Sequence, residues 1–291
     1  MAVNIQQALK EAVDKIEKTS VQTPLLDAEV LLCHVLKKDR LFLYTNRNYV
    51  FTDEQYSRFL ELIQKRLMGM PVQYIINKQE FMGLDFYVEE GVLIPRPDTE
   101  ILVETVIEWA KNIKNDRINV VDIGTGSGAI TVSIAKYIPN SFVYGVDISK
   151  KALKIAKKNA ASNHASNISF LEGDLFEPLR KEKLEGRIDI LVSNPPYIPK
   201  NEIEKLQIEV SKYEPKLALD GGIDGLDYYR RIIDEASCFL RNDGLIALEV
   251  GHDQAEAVKN MMERKRCYKN IKKIKDLAGI ERVVTGIMNN S

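Results

Sequence analysis

The chain is poor in the side chains that metal and nucleophile chemistry most often use. Its 291 residues include three histidines and three cysteines. His34, His164 and His252 fall outside every motif described below, and structural or surface roles are expected for them. Cys33, Cys238 and Cys267 are far apart and form no Cys-x-x-Cys pair. An odd, scattered set argues against a disulfide framework and against a zinc site; it suits reduced thiols in a reducing compartment. Net charge is also missing. Lys plus Arg is 41 and Asp plus Glu is 42, which leaves -1. A sequence-independent nucleic-acid binder needs a basic excess or stripe, so nucleic acid is not the expected partner, although a local basic patch stays open. No uninterrupted apolar stretch approaches the ~20 residues that cross a bilayer. The opening "MAVNIQQALKEAVDKIEKTS" has no apolar signal core. A cytoplasmic protein without a membrane partner is expected, and a monomer.

What is present is an ordinary globular composition, 45% hydrophobic and 29% charged, with enough apolar material for one large or two modest domains. Over the first seventy or so residues the period is helical. "NIQQALKEAVDKIEK" spaces Ile5, Leu9, Ala12, Val13 and Ile16 along one face, with Asn4 as a candidate cap. "PLLDAEVLLCHVLKKD" starts on Pro24, a good first-turn residue. "TDEQYSRFLELIQKRLMG" has Thr52 and Gln55 in capping-box spacing and Gly69 as a stop. From Pro71 to Pro97 the pattern breaks into short apolar pieces around Gly83 and Gly91, and a hairpin is predicted. Asp98 or Thr99 then caps a helix over "DTEILVETVIEWAKNI". The expected divisions are a helical domain over 1–75, a β-hairpin linker over 76–96 and a third region over 97–291.

In that third region strands and helices alternate. "INVVDI", "SFVYGVD", "NISFLEG", "IDILVSN" and "GLIALEV" read as strands separated by helical segments, and "NIKKIKD" and "ERVVTGI" follow. The pattern predicts an α/β fold with a doubly wound, mostly parallel, seven-stranded Rossmann-like sheet. Ligands bind such sheets beyond the carboxyl ends of the strands.

The chemistry-bearing residues lie at those ends. "VVDIGTGSGAI" places Gly124, Thr125, Gly126, Ser127 and Gly128 between the first strand and its helix. The spacing is Gly-x-Gly-x-Gly, which fits a nicotinamide dinucleotide less well than Gly-x-Gly-x-x-Gly does. The second strand ends at Asp147, about 20 residues on, where a carboxylate can accept both ribose hydroxyls. Asp147 could instead cap the next helix, for which Ser149 is an equal candidate. The third strand ends at "EGDLF", so Asp174 and Leu175 are placed to flank a base. These three strand ends together resemble a class I S-adenosylmethionine-dependent methyltransferase. The resemblance implies that the glycine loop lies against the methionine part of the cofactor, Asp147 on the ribose, and Asp174 with Leu175 on the adenine.

The fourth strand ends in "VSNPPYIP". Asn194 offers a side-chain oxygen and Pro195 a carbonyl, both acceptors. Pro195 and Pro196 stiffen the backbone that carries them, and Tyr197 supplies an aromatic face. Two fixed acceptors suit a planar –NH₂ group. A conjugated amine is a poor nucleophile, and holding both its hydrogens shifts electron density onto nitrogen as a methyl arrives. Neither a metal nor a general base is needed. Asn194 and Pro195 are thus the candidate catalytic residues with Tyr197; all three, with Pro196, are the candidate substrate contacts, and Asn194 also reaches the cofactor side. Either an adenine N6 in nucleic acid or a glutamine amide in a protein would fit this tip. A cofactor-dependent binding module without enzymatic activity is a third reading.

"RLMGMPVQYI", "EFMGLDFYVEEGVLIPRPDTEILVE", "VDIGTGSGAI" and "VSNPPYIP" together resemble the bacterial release factor glutamine methyltransferases, the PrmC or HemK family. The likeness covers nearly the whole chain, including "YEPKLALDGGIDGLDYYRRI" after the catalytic loop. Asp98 departs from the glutamate more usual in that family and keeps the charge at a helix start. The resemblance implies S-adenosyl-L-methionine as methyl donor and class-one peptide chain release factors as protein substrate. The target it implies is N5 of the glutamine in their Gly-Gly-Gln motif, with the 1–75 domain docking the release factor.

Overall fold

A computed structural model of the protein describes residues 3–289. The chain forms two compact units. One comprises the residues up to Lys78 together with Leu206–Tyr213; the other comprises Gln79–Lys205 and Glu214 onward. Among the described residues no helix is long and apolar enough to cross a membrane.

The helical unit contains α1 (Ile5–Ile16), α2 (Pro24–Leu36), α3 (Arg40–Thr45), α4 (Asp53–Leu67) and α5 (Val72–Ile76). Both predicted caps form as full capping boxes. Asn4 and Gln7 exchange bonds of 2.9 and 3.1 Å, and Thr52 and Gln55 bonds of 3.2 and 3.0 Å. Ile5, Ala8, Ala12 and Ile16 of α1 meet Leu31, Leu32, Phe59, Leu62 and Ile63 in one core. Leu9 and Val13, read as part of that face, are only partly buried at its rim. Arg66 is also buried here, its side chain 3% exposed. Its Nε donates to Asp27 at 2.6 Å, and its Nη2 pairs with Glu209 of the 206–213 segment. A buried guanidinium persists only with such partners, because an unpaired charge out of water costs several kcal/mol.

The second unit opens with a hairpin of β1 (Gln79–Phe81) and β2 (Leu84–Phe86). Met82 and Gly83 turn it with φ of 53° and 68°, the positive pair that matches strand twist in a two-residue loop. Phe81 and Phe86 anchor it in the core, each 1% exposed. Helix α6 (Glu100–Ala110) follows, and then the main sheet: β3 (Ile118–Ile123), α7 (Ala129–Tyr137), β4 (Ser141–Asp147), α8 (Lys150–Ser162), β5 (Ile168–Glu172), α9 (Glu177–Lys181) and β6 (Ile188–Ser193). The short α10 (Ile208–Tyr213) groups with the helical unit. The chain ends with α11 (Asp227–Phe239), β7 (Leu240–Glu249), α12 (Ala255–Lys265), β8 (Tyr268–Lys275) and β9 (Glu281–Met288).

The strand order is β5-β4-β3-β6-β7-β9-β8. It is parallel from β5 to β7, and β9 is antiparallel to both its neighbours. The mostly parallel seven-stranded sheet is therefore as predicted. Alternation feeds both faces. Val121 and Ile123 of β3 with Leu191 of β6 pack toward Tyr229 and Ile232 of α11 and Val258 of α12. Val120, Ile190 and Val192 pack toward Val103 and Val106 of α6 and Val132 of α7. Order reverses between β3 and β6, and the crevice beyond such a switch point is where ligands bind.

Candidate active site

At the end of β3 the chain turns through Gly124, Gly126 and Gly128 with φ of 78°, 55° and 83°. The outer two glycines do different jobs. A Cβ on Gly124 would meet no atom within 4 Å, whereas one on Gly128 would stand 2.9 Å from the Ala156 Cβ. Gly124 borders open space, and Gly128 lets α7 lie close against α8. The amides of Gly124 and Thr125 both donate to the Val146 carbonyl at 2.9 Å, tying the loop to β4. Side chains beneath hold it from below. The Thr125 and Thr131 hydroxyls are 2.8 Å apart, and Thr131 donates to Asp122 Oδ2 at 2.7 Å. Asp122 is fully buried and its Oδ1 has no hydrogen-bond partner. Burial pushes its carboxyl up to about 6, with Thr131 and Thr125 opposing and the charge of Asp147 adding to the rise.

Asp147 closes this corner. Its Oδ2 accepts from the Gly126 amide and its Oδ1 from the Ser149 amide, both at 2.8 Å. Burial raises its pKa while these N–H groups pull it down. Ser149 caps α8 by accepting from the Ala152 amide, so capping does not occupy Asp147. A carboxylate has about four acceptor positions, so two remain for a diol. On the next strand end Asp174 pairs with Arg231 of α11 at 2.5 Å, and Leu175 takes a positive φ of 46°.

A cavity opens over these strand ends, bounded by Gly124, Gly126, Asp147, Asp174, Leu175 and Asn194. Pro195 and Pro196 line it as well, and apolar groups from Val92, Leu93, Leu217, Tyr228 and Ile232 complete its walls. Thr125, Ser127 and Gly128 do not line the cavity. Thr125 and Ser127 are buried and shape the loop from inside. Tyr197 is not among its lining residues either. Burial pushes its phenol up to about 12, and Glu249, Arg96, Arg282 and Asp98 surround it electrostatically. Its carbonyl accepts from Gln254 Nε2 at 2.9 Å, which pins the end of the Pro-Pro segment.

Asn194 Nδ2 donates to Thr99 Oγ1 at 3.1 Å. Asn194 lines the cavity, and with its NH₂ on Thr99 the amide oxygen is the acceptor it can offer a ligand. Thr99, predicted as a possible helix cap, makes no capping bond. Its hydroxyl serves Asn194 instead. Glu249, at the end of β7, is 3% exposed, and burial pushes it up to about 7 despite Thr99, Arg282 and Asn194. Asp122, Thr99, Glu249, Tyr228 and Arg231 were not foreseen from sequence. Only Glu249 carried a local signal, an acid closing the apolar strand "LIALEV". Among the described residues no three His, Cys, Asp or Glu side chains cluster as metal ligands do.

The open glycine cradle, the half-satisfied carboxylate and the apolar slot fit an adenosyl group with a polar amino-acid tail. Such a group would be held by Gly124, Gly126, Asp147, Asp174 and Leu175.

Comparison with known proteins agrees in both units. Residues 7–76 match the PrmC N-terminal domain and residues 114–285 a methyltransferase domain. A release factor glutamine methyltransferase of Clostridium acetobutylicum is 44% identical over 287 residues, 98% of this chain and 99% of that one. One from Thermodesulfovibrio yellowstonii is 45% identical over 276 residues, covering 94% and 97%. Among solved structures, the hMettl16 catalytic domain in complex with MAT2A 3'UTR hairpin 6 superposes with a TM-score of 0.57 at 17% identity, over 89% of this chain and 92% of that one. A methyltransferase from Pyrococcus furiosus superposes with a TM-score of 0.50 at 18% identity, over 78% and 98%; both likenesses are of fold. With identity above two-fifths along almost its entire length, this chain belongs to the release factor glutamine methyltransferase family.

Proposed function

We propose that this protein methylates class-one peptide chain release factors, at the side-chain amide nitrogen (N5) of the glutamine in their Gly-Gly-Gln motif, with S-adenosyl-L-methionine as donor. The names of the relatives support the substrate class. The observation that carries the chemistry is the Asn194 amide, whose NH₂ is engaged by Thr99 so that its oxygen is left to the cavity.

Bound there, S-adenosyl-L-methionine would supply a methyl on a sulfonium, an electrophile that needs no further activation, and the S–CH₃ bond that breaks would leave S-adenosyl-L-homocysteine as a neutral thioether. What the chain's own residues must do is aim a weak nucleophile. Asn194 Oδ1 and the Pro195 carbonyl accept the two N–H groups of the glutamine amide. Pro195 and Pro196 fix φ, so these acceptors need no reorganisation as charge develops on nitrogen. The methylated nitrogen is strongly acidic and sheds one of its protons to solvent, so no dedicated base is required. Tyr197 acts through its carbonyl, which holds Gln254 and so anchors the end of the Pro-Pro segment. The helical unit docks the release factor through a surface of its own, so that the small glutamine pocket need not supply all the specificity.

The test is transfer of labelled methyl from S-adenosyl-L-methionine to purified release factor, beside the same factor with Gln→Ala in Gly-Gly-Gln. Label on the first and not the second is expected. Label on nucleic acid instead would make this an amino-methyltransferase of bases, and no label on any acceptor would leave only a binding module.

A further inference from the structure

Strands β6 and β7 are parallel with Ser193 opposite Leu248. Asn194, just past the end of β6, and Glu249, the last residue of β7 and paired on its other side with Val283 of β9, therefore stand side by side. The proposed reaction gives Glu249 no task, yet a carboxyl group is kept there, nearly fully buried, with its Oε2 unpartnered. Thr99 is also buried, 4% exposed. It accepts from Asn194 Nδ2, and the side chains of Thr99 and Asn194 lie near enough to hold the Glu249 carboxyl down by hydrogen bonding.

The direction of this chain of groups follows from which of them can donate. An ionised carboxylate only accepts. Thr99 has one hydroxyl proton, and beside a carboxylate that proton goes to Glu249. The hydroxyl oxygen is then the acceptor, so the Asn194 amide must present NH₂ to it. The amide oxygen is turned the other way. We propose that Glu249 is a positioning residue for methyl transfer: acting through Thr99 and through its own contact with the Asn194 side chain, it sets the flip of the Asn194 amide and so keeps an acceptor, not a donor, facing the substrate nitrogen. This rests on the reading of Asn194 given above. With Glu249 protonated the chain loses its polarity. Glu249 can then donate to Thr99, the Thr99 proton is free for the Asn194 oxygen, and NH₂ can face the NH₂ of the substrate.

The surroundings place this switch near neutral pH. Asp98, just before α6, raises the Glu249 pKa and Arg282 of β9 lowers it; burial outweighs both and brings it to about 7. Arg282 is itself shared with Asp98 at 2.8 Å and Asp276 at 3.1 Å. Tyr197, after β6, and Tyr229 of α11 also face Glu249, and both phenols are pushed upward by burial, so they stay neutral in this range.

The experiment compares single-turnover rates, release-factor KM and cofactor binding between pH 6 and 8 for the wild type, Glu249→Gln, Thr99→Val and Thr99→Ser. In the wild type the rate is expected to fall about tenfold from pH 8 to pH 6. Glu249→Gln is expected to lose about tenfold or more at pH 8 and to show no inflection, with KM and cofactor affinity within about twofold. Thr99→Val, which leaves only the direct Glu249–Asn194 contact, should lose part of this, and Thr99→Ser, which restores the hydroxyl, should recover most of what Thr99→Val loses. In ¹⁵N-asparagine-labelled protein, the Asn194 side-chain NH₂ resonance should titrate in the wild type and not in Glu249→Gln. An active wild type matched in rate and pH profile by Glu249→Gln overturns the inference, as does Thr99→Ser falling as far as Thr99→Val. Should Glu249→Gln fail to fold, the Thr99 pair decides alone. A wild type that transfers nothing to release factor defeats the proposed function, and this inference with it.

Discussion

Asp122→Asn isolates the cost of a buried carboxylate under the glycine loop. Asp122 has an ordinary pKa of 3.8, raised to about 6 in the fold, chiefly by burial. The folded state therefore keeps a proton that the unfolded chain releases between those values. Stability contributed by this group is complete below about pH 4, falls as pH rises toward 6, and is flat above about pH 7. A shift of about two units corresponds to about 3 kcal/mol, of which about half falls between pH 5 and pH 8. The asparagine is isosteric, does not titrate and can still accept from Thr131. Its NH₂ inherits the unpartnered position of Oδ1, an offset that is independent of pH and cancels from the slope. The readout is local, because the sole tryptophan, Trp109, lies on α6 of the same unit. Urea unfolding followed by Trp109 fluorescence should show the stability of Asp122→Asn relative to wild type climbing by about 1.5 kcal/mol from pH 5 to pH 8. The charge of Asp147 is already part of that shift. A relative stability that stays level to within ~0.5 kcal/mol across that range would refute the assignment of a strained, desolvated carboxyl.

Asn194→Ala should lower the methyl-transfer rate by about 10²–10³ while leaving cofactor affinity within a few-fold, measured by stopped-flow and calorimetry; a near-normal rate ends the role given to it. The two outer loop glycines should separate: Gly128→Ala costs about 2–4 kcal/mol in urea unfolding, from positive φ and the Ala156 contact. Gly124→Ala costs only about 1–2 kcal/mol but weakens cofactor binding about tenfold or more, since its Cβ enters open space. Arg66→Ala leaves Asp27 and Glu209 without their cation and should destabilise the helical unit by about 3–5 kcal/mol, seen as faster amide exchange in α4.

The parts of the site legible in the sequence were those written in consecutive residues. "DIGTGSG" and "VSNPPY" each carry their own backbone demands, positive φ in one and fixed φ in the other. The capping boxes at Asn4 and Thr52 were legible for the same reason. What stayed hidden depends on register between distant segments. Thr99 looked like a helix cap because that is what threonine at a helix start does; only the fold brings Asn194, 95 residues on, to its hydroxyl. Glu249 stands beside Asn194 because β6 and β7 pair in one register and not another. Arg231 reaches Asp174 across 57 residues. Likewise the terminal segments read as two strands, but nothing local says that β9 inserts between β7 and β8.

The strip Leu206–Tyr213 makes the polypeptide pass between its two units at three places, after residues 78, 205 and 213. The helical unit is thus not a detachable cassette, although its family match ends at residue 76. A fragment cut at Lys78 would lack Glu209, and Arg66 would keep half its counter-charge. Chimeras that swap the amino-terminal region among relatives should carry this eight-residue patch along, or they will graft helices onto a foreign acid.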